Sequence, residues 1–425
     1  MDINLKEKLF TKFVRKQVFL IGLLYVGDRL FFFFEQNFFN TYLDHVFFLP
    51  EIFISIMVSL SATMGLIIMI IWGILSDNTR TKFGRRRPYL LIGGIVAGIA
   101  MMFYGLSTSY IMCLIIDVVI IGLASNAFLV AERSLIPDTV DVEKRGRANG
   151  IINSISYIGL LIGVALLLLG NELFGVPDPR SDGTIITQEG HFILLSIGGI
   201  VFISVGILGF LFIKEKRISA LPEKKKFYGE LQQTFNLAEL KSQKEFYKMV
   251  LAMLIFQSGI SSIMPFLFIF IFDQELTTPQ LSIMIVVALP FVLVATIYLG
   301  RLSDRFGRKR FIPISLTIVS IGYLIMPFAS DNYILFMIGL PFVLVGVLAL
   351  VTPLNAWSQD LLPEDKCGKF TGILNIVNTA SQIIGSFAGG IIATLFGIPW
   401  IFVLGPVFFL ASIPLFLKVK ETVNL

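Results

Sequence analysis

Apolar runs of about 20 residues, enough to cross a hydrocarbon core as helix, recur from one end of this chain to the other. Twelve are read, centred near Tyr25, Met64, Ala97, Leu123, Leu161, Val205, Gln257, Val287, Gly322, Leu344, Ile383 and Phe408. No single soluble core can bury so many unbroken apolar segments, and a transmembrane barrel would show short alternating ones instead. The composition agrees, with 56% of 425 residues apolar and only 15% charged, outside the soluble range on both counts. The expected fold class is an all-α polytopic membrane protein. Met1 to Lys16 is charged and leads into an apolar stretch without a small-residue cleavage site, so no removable signal is expected.

Lysine and arginine collect on the cytoplasmic side of membrane proteins. Lys6, Lys8, Lys12, Arg15 and Lys16 precede the first run, and the loops after even-numbered runs hold nearly all the rest; Arg180 is the external exception. Both termini are therefore expected in the cytoplasm, in a plasma-membrane protein surrounded by lipid. The net charge of +5 then reports orientation and gives no reason to expect nucleic acid as a partner. Cys113 lies in a helix and Cys367 in a cytoplasmic loop, a placement that predicts no disulfide.

The loops repeat. GILSDNTRTKFGRRRP at Gly73 to Pro88 and GRLSDRFGRKRF at Gly300 to Phe311 share Leu-Ser-Asp and a Phe-Gly-Arg-basic-Arg run, with Asp304 following Asp77 by 227 residues. LIPD ending at Asp138 is echoed by LLPE ending at Glu364, and GIIN at Gly150 by GILN at Gly372. The chain reads as two related halves, 1–214 and 246–425, joined by a basic linker, 215–245, containing EKKK. Such a linker is expected to meet anionic lipid.

GRLSDRFGRKR resembles the loop signature of the major facilitator superfamily, and the longer first copy is similar to the sucrose-transporter branch and to the glycoside-pentoside-hexuronide symporters. The resemblance implies twelve transmembrane helices in two pseudo-symmetric six-helix halves that rock about a midplane site. It also implies a cytoplasmic latch in which Asp77 and Asp304 approach helix N-termini, where the dipole favours a carboxylate. Arg80, Arg85, Arg308, Asp138 and Glu364 complete it. Arg133 resembles an arginine of the sucrose-type branch and, five residues from Asp138, is grouped with the latch.

Ionisable residues inside a membrane helix are functional candidates by default. Asp28, Arg29 and Glu35 stand in the first helix, with Asp28 about 18 Å beyond Lys16 at helical rise, close to mid-bilayer. YVGDRL resembles the first helix of melibiose-type symporters, which implies a sugar-binding role for Asp28. The fourth helix supplies Asn126, Glu132 and Arg133, and Arg29, Glu35 and Asn126 join Asp28 as expected substrate-binding residues. Asp28, Glu35 and Glu132 are the candidates for proton coupling. The second-helix aspartates of the melibiose-type sodium site are replaced by Gly65 and Met69, so sodium coupling is not expected.

The second half offers uncharged groups: Gln257 and Ser261 ahead of Pro265 in the seventh helix, Asn355 and Trp357 in the tenth, and Asn378 and Gln382 in the eleventh. These suit a neutral polyhydroxylated ligand, and they suit helix-to-helix hydrogen bonding equally well. His45 and His191, the two histidines of the chain, sit at external helix ends. No catalytic set, metal-binding motif or phosphate-binding loop is found, so neither an enzyme nor a cofactor is expected. The expected function is secondary transport of a sugar or glycoside with protons by a monomer. Alternatives are an uncoupled facilitator or exporter of another small solute, and a non-transporting receptor. ISYIGLLIG in the fifth helix lacks the Gly-Pro pair usual in drug antiporters.

Overall fold

In a medium without water every backbone N–H and C=O must find its partner within the segment, so long apolar stretches fold as helices. A computed structural model describes residues 3–140, 145–215, 244–274, 278–329, 332–346, 350–361 and 367–422. Among them, ten helical stretches are long and apolar enough to cross a membrane. The eighth expected run is the 29-residue helix Thr278–Phe306. The tenth includes the helices Tyr333–Leu344 and Val351–Asp360.

The helices are α1 (Ile3–Phe33), α2 (Phe39–Phe47), α3 (Glu51–Asn78), α4 (Arg87–Tyr104), α5 (Tyr110–Leu114), α6 (Gly122–Thr139), α7 (Arg145–Phe174) and α8 (Gln188–Phe212). They continue as α9 (Lys244–Ser261), α10 (Leu267–Phe272), α11 (Thr278–Phe306), α12 (Arg308–Ile325), α13 (Tyr333–Leu344), α14 (Val351–Asp360), α15 (Cys367–Phe396) and α16 (Ile401–Phe416). A short hairpin, β1 (Gly175–Pro177) with β2 (Thr184–Ile186), connects α7 to α8. Two π-helical segments, Phe34–Phe38 and Ile115–Ile121, interrupt the first and fourth long helices. The seventh run is broken at Pro265, which has no N–H to give: α9 ends at Ser261 and a 3-10 turn, Met264–Phe266, leads into α10.

The chain divides into two compact units. One contains Met1–Phe47, Met64–Gly175 and Ile186–Leu231; the other contains Phe48–Thr63, Val176–Ile185 and Gln232–Leu425. The division therefore differs from a single cut near residue 214, because the first half of α3 packs on α15. Ile52 N–H donates to Thr394 Oγ1 at 3.0 Å and Ser59 Oγ to the Ile383 carbonyl at 3.4 Å. Gly390 permits the approach, since a Cβ there would collide with Ser55 Oγ.

Small residues set the packing of the first unit as well. A Cβ on Gly98 of α4 would lie 2.5 Å from the Gly199 carbonyl of α8, so the two helices meet nearly backbone to backbone. In the second unit α9 packs on α15 and α16, and Ser381 Oγ donates to the Leu254 carbonyl at 3.0 Å.

Candidate functional site

Tyr25, Asp28 and Arg29 lie three and four residues apart on α1 and so share one side of the helix. Against them α6 presents Glu132 and Arg133. Glu132 is fully buried, and neither carboxylate oxygen has a hydrogen-bond partner. The charges of Arg133 and Arg29 act on both Asp28 and Glu132, and the two carboxylates act on Tyr25. Asp28 is half-buried, whereas Arg29 and Arg133 are exposed. The first unit thus holds two acids and two guanidinium groups that act on one another, with Glu132 the buried member. A buried carboxyl without a donor is costly unless a proton, a ligand or a mobile partner completes it.

Asn126 donates to the Gly122 carbonyl of its own helix at 2.8 Å, and its amide faces Gly65 of α3, 3.4 Å from where a Cβ would stand. An amide therefore faces a position of α3 that carries no side chain. Glu35 lies half-buried in the first π segment. His45 and His191, read from the sequence as separate helix ends, come together with ring centroids 5.6 Å apart. His45 Nδ1 accepts from the Ile186 N–H at 3.0 Å.

In the second unit Gln257 and Ser261 are half-buried on α9, while on α15 Asn378 is exposed and Gln382 half-buried. Asn355 is exposed on α14. Trp357 is placed differently from the expectation of a ligand-stacking ring. It is fully buried against Phe416, and its indole N–H donates to the Lys420 carbonyl at 3.0 Å. It anchors the residues that follow α16 and leaves no ring face for a ligand.

The basic loop forms a tight network within the first unit. Arg85 pairs with Asp138 at 2.5 Å, and Arg86 pairs with Asp77 and reaches Asp138 at 3.4 Å. Arg80 donates to the carbonyl of Asp77 at 2.6 Å, closing the end of α3. Glu215, just past α8, accepts the backbone N–H groups of Arg85, Arg86 and Arg87 at 2.7, 2.9 and 2.8 Å. Those are donors that a helix start leaves without partners, and the carboxylate meets the positive end of the α4 dipole. Arg133, grouped with this network from the sequence, makes no ion pair with it among the described residues, and its charge acts on Asp28 and Glu132.

The second unit repeats the arrangement. Gly84 and Gly307 both adopt positive φ, at 114° and 82°, which turns the chain into the next helix. Arg308 pairs with Asp360 at 2.6 Å, and the Lys309 N–H donates to Glu421 at 2.8 Å. Asp304 lies on α11, and Glu364 lies outside the described residues. The sequence reading missed Tyr25, Arg86, Glu215, Asp360 and Glu421. A signal for two of them existed: Glu215 and Glu421 each follow the last apolar run of a half.

A sequence profile described as Major Facilitator Superfamily matches residues 18–296 and 249–424. The multi-drug resistance efflux pump PmrA of Streptococcus pneumoniae is 25% identical over 355 residues, 80% of this chain and 79% of that protein. The multidrug resistance protein MdtG of Proteus mirabilis is 31% identical over 166 residues, 38% of this chain and 39% of MdtG. The general alpha-glucoside permease of Schizosaccharomyces pombe is 27% identical over 188 residues, 40% of this chain and 32% of the permease. The fold is similar to that of a bacterial homologue of the human lysosomal transporter Spinster, with TM-score 0.70 and 17% identity over 96% of this chain and 97% of the other. It is also similar to a mutant of the nucleoside transporter NupG, with TM-score 0.71 and 11% identity over 96% and 99%. The relatives thus divide between drug efflux pumps and sugar permeases, and they do not single out the sucrose-type branch.

Proposed function

Since the chain belongs to the Major Facilitator Superfamily, whose fold and family are those of membrane transporters, we propose that it is a secondary transporter coupling a small organic solute to protons by alternating access. The observation that supports this is Glu132, fully buried with both oxygens unbonded beside Asp28. Two carboxyls sharing an apolar site are suited to taking up and releasing a proton as the cavity opens to one side or the other. Asp28, half-buried, is the member that a substrate can reach, and its charge suits hydroxyl donors of a sugar or glycoside. Within the second unit, Gln257, Ser261, Asn378 and Gln382 are proposed as substrate-binding residues in their own right. The protein works as a monomer in this reading.

A second reading, proton-linked export of another organic solute, is favoured by the longer match to PmrA, which spans 80% of the chain against 40% for the alpha-glucoside permease. Proteoliposomes tested with labelled mono- and disaccharides and with lipophilic dyes, each with and without an imposed pH gradient, separate the two. Gradient-dependent sugar accumulation supports the first reading and gradient-dependent dye export the second. Indifference of every solute to the gradient overturns proton coupling.

A further inference from the structure

Lys82 and Phe83 precede Gly84 just as Arg305 and Phe306 precede Gly307, so both repeats carry a cation and an aromatic ring at one register, 223 residues apart. In each pair the cation lies over the ring: Lys82 Nζ is 5.1 Å from the Phe83 centroid, and the Arg305 guanidinium is 5.9 Å from that of Phe306. Both rings are open, Phe83 at 44% and Phe306 at 55%. Among the described residues no carboxylate pairs with Lys82 or Arg305. Their neighbours Arg85, Arg86 and Arg308, in contrast, are engaged by Asp138, Asp77 and Asp360. One loop thus separates cations used inside the protein from cations left to the surroundings.

The position of the rings sets what surrounds them. Phe83 lies 5.3 Å from Phe210, which is two residues before the end of α8, and Phe306 is the last residue of α11. Each ring is therefore level with the last turn of a membrane helix, where acyl chains give way to headgroups. Arg87 adds a second cation at the first tip, 5.1 Å from the Phe210 ring. An open ring at the end of a membrane helix with a cation over its face complements an anionic phospholipid.

We propose that the Lys82–Phe83 and Arg305–Phe306 tips are anchors for anionic phospholipid of the cytoplasmic leaflet, with the phosphate on the cation and the ring among the upper acyl carbons. The inference rests on membrane embedding and not on the transported solute.

Phe83→Trp and Phe306→Trp report on it when each is reconstituted with dibrominated phosphatidylglycerol or dibrominated phosphatidylcholine and wild-type emission is subtracted. Half-maximal quenching is expected at an about fivefold lower mole fraction of the anionic lipid, the selectivity one basic residue gives at a membrane surface. Adding Arg305→Gln removes that preference at the second tip, and adding Lys82→Gln reduces it at the first, where Arg87 remains. Equal quenching by the two lipids overturns the proposal, and quenching by neither shows a ring covered by protein and overturns it too. Native mass spectrometry of Lys82→Gln/Arg305→Gln against wild type gives an answer that needs no tryptophan variant. Fewer retained phosphatidylglycerol adducts are expected, and an unchanged number overturns the proposal.

Discussion

Arg308 donates to the carboxylate of Asp360 at 2.6 Å. This pair stands in the second unit as Arg85 with Asp138 stands in the first, each arginine directly following a positive-φ glycine. The side chains of Arg85 and Arg308 are only 11% and 9% exposed, so removing either acid takes a short-range counter-charge from a nearly buried guanidinium, Arg85 keeping Asp77 at 4.0 Å. Breaking such a pair costs about 3–5 kcal/mol when fully buried, and Asp138→Asn is expected to cost somewhat less because part of the site is wetted. Thermal unfolding of purified protein checks this; a melting temperature equal to wild type in both Asp138→Asn and Asp360→Asn would remove the pairs from the fold's stability.

Glu215→Gln keeps the side chain's size but weakens three charge-assisted hydrogen bonds to the start of α4. A loss of about 1–2 kcal/mol is expected, the scale of a helix cap, and Glu215→Ala loses more. Hydrogen exchange at Arg85, Arg86 and Arg87 should quicken before any global change. Unaltered exchange there would mean that the loop holds α4 without the carboxylate.

For Glu132→Gln, uphill accumulation is expected to fall at least tenfold while substrate counterflow persists. The amide cannot cycle a proton, yet it preserves the shape of the buried site. Asp28→Asn is expected instead to weaken substrate binding by roughly 1.5–3 kcal/mol, the scale of a hydrogen bond to a charged group. Equilibrium binding and counterflow measured on both variants distinguish the roles, and wild-type accumulation by Glu132→Gln would take the proton away from that residue.

Gly390→Val inserts side-chain atoms where Ser55 already stands. The contact between α3 and α15 should open at a cost of about 1–3 kcal/mol, typical of overpacking. A cysteine placed at Ser59 should then react faster with a membrane-impermeant maleimide, whereas Gly390→Ala should be milder. Unchanged labelling with valine would show that the seam relaxes without parting.

Replacing sodium by choline at fixed pH is expected to leave transport unchanged. Gly65 faces the amide of Asn126 and brings no carboxylate to it. Abolished accumulation in choline would identify a sodium site elsewhere.

The positions of Asp28 and Glu132 show how far the sequence reaches. Each was marked by being an acid in an apolar helix, a signal read one residue at a time, because the penalty of burying charge applies whatever the partner is. That the charges of Asp28, Arg133 and Arg29 act on Glu132 depended on how α6 lies against α1. Trp357 carried a composition signal for ligand stacking, but the residues after α16 pass beneath it and take its N–H.

The long apolar runs, the repeated loops and the family signature were fixed by local chemistry: a backbone out of water must be helical, and a positive-φ glycine must turn the chain. Which carboxylate meets which arginine was decided only by tertiary structure. Glu215 is more than a hundred residues from the N–H groups it caps, as is Glu421 from Lys309, and no periodicity within a helix encodes a contact made across such a distance.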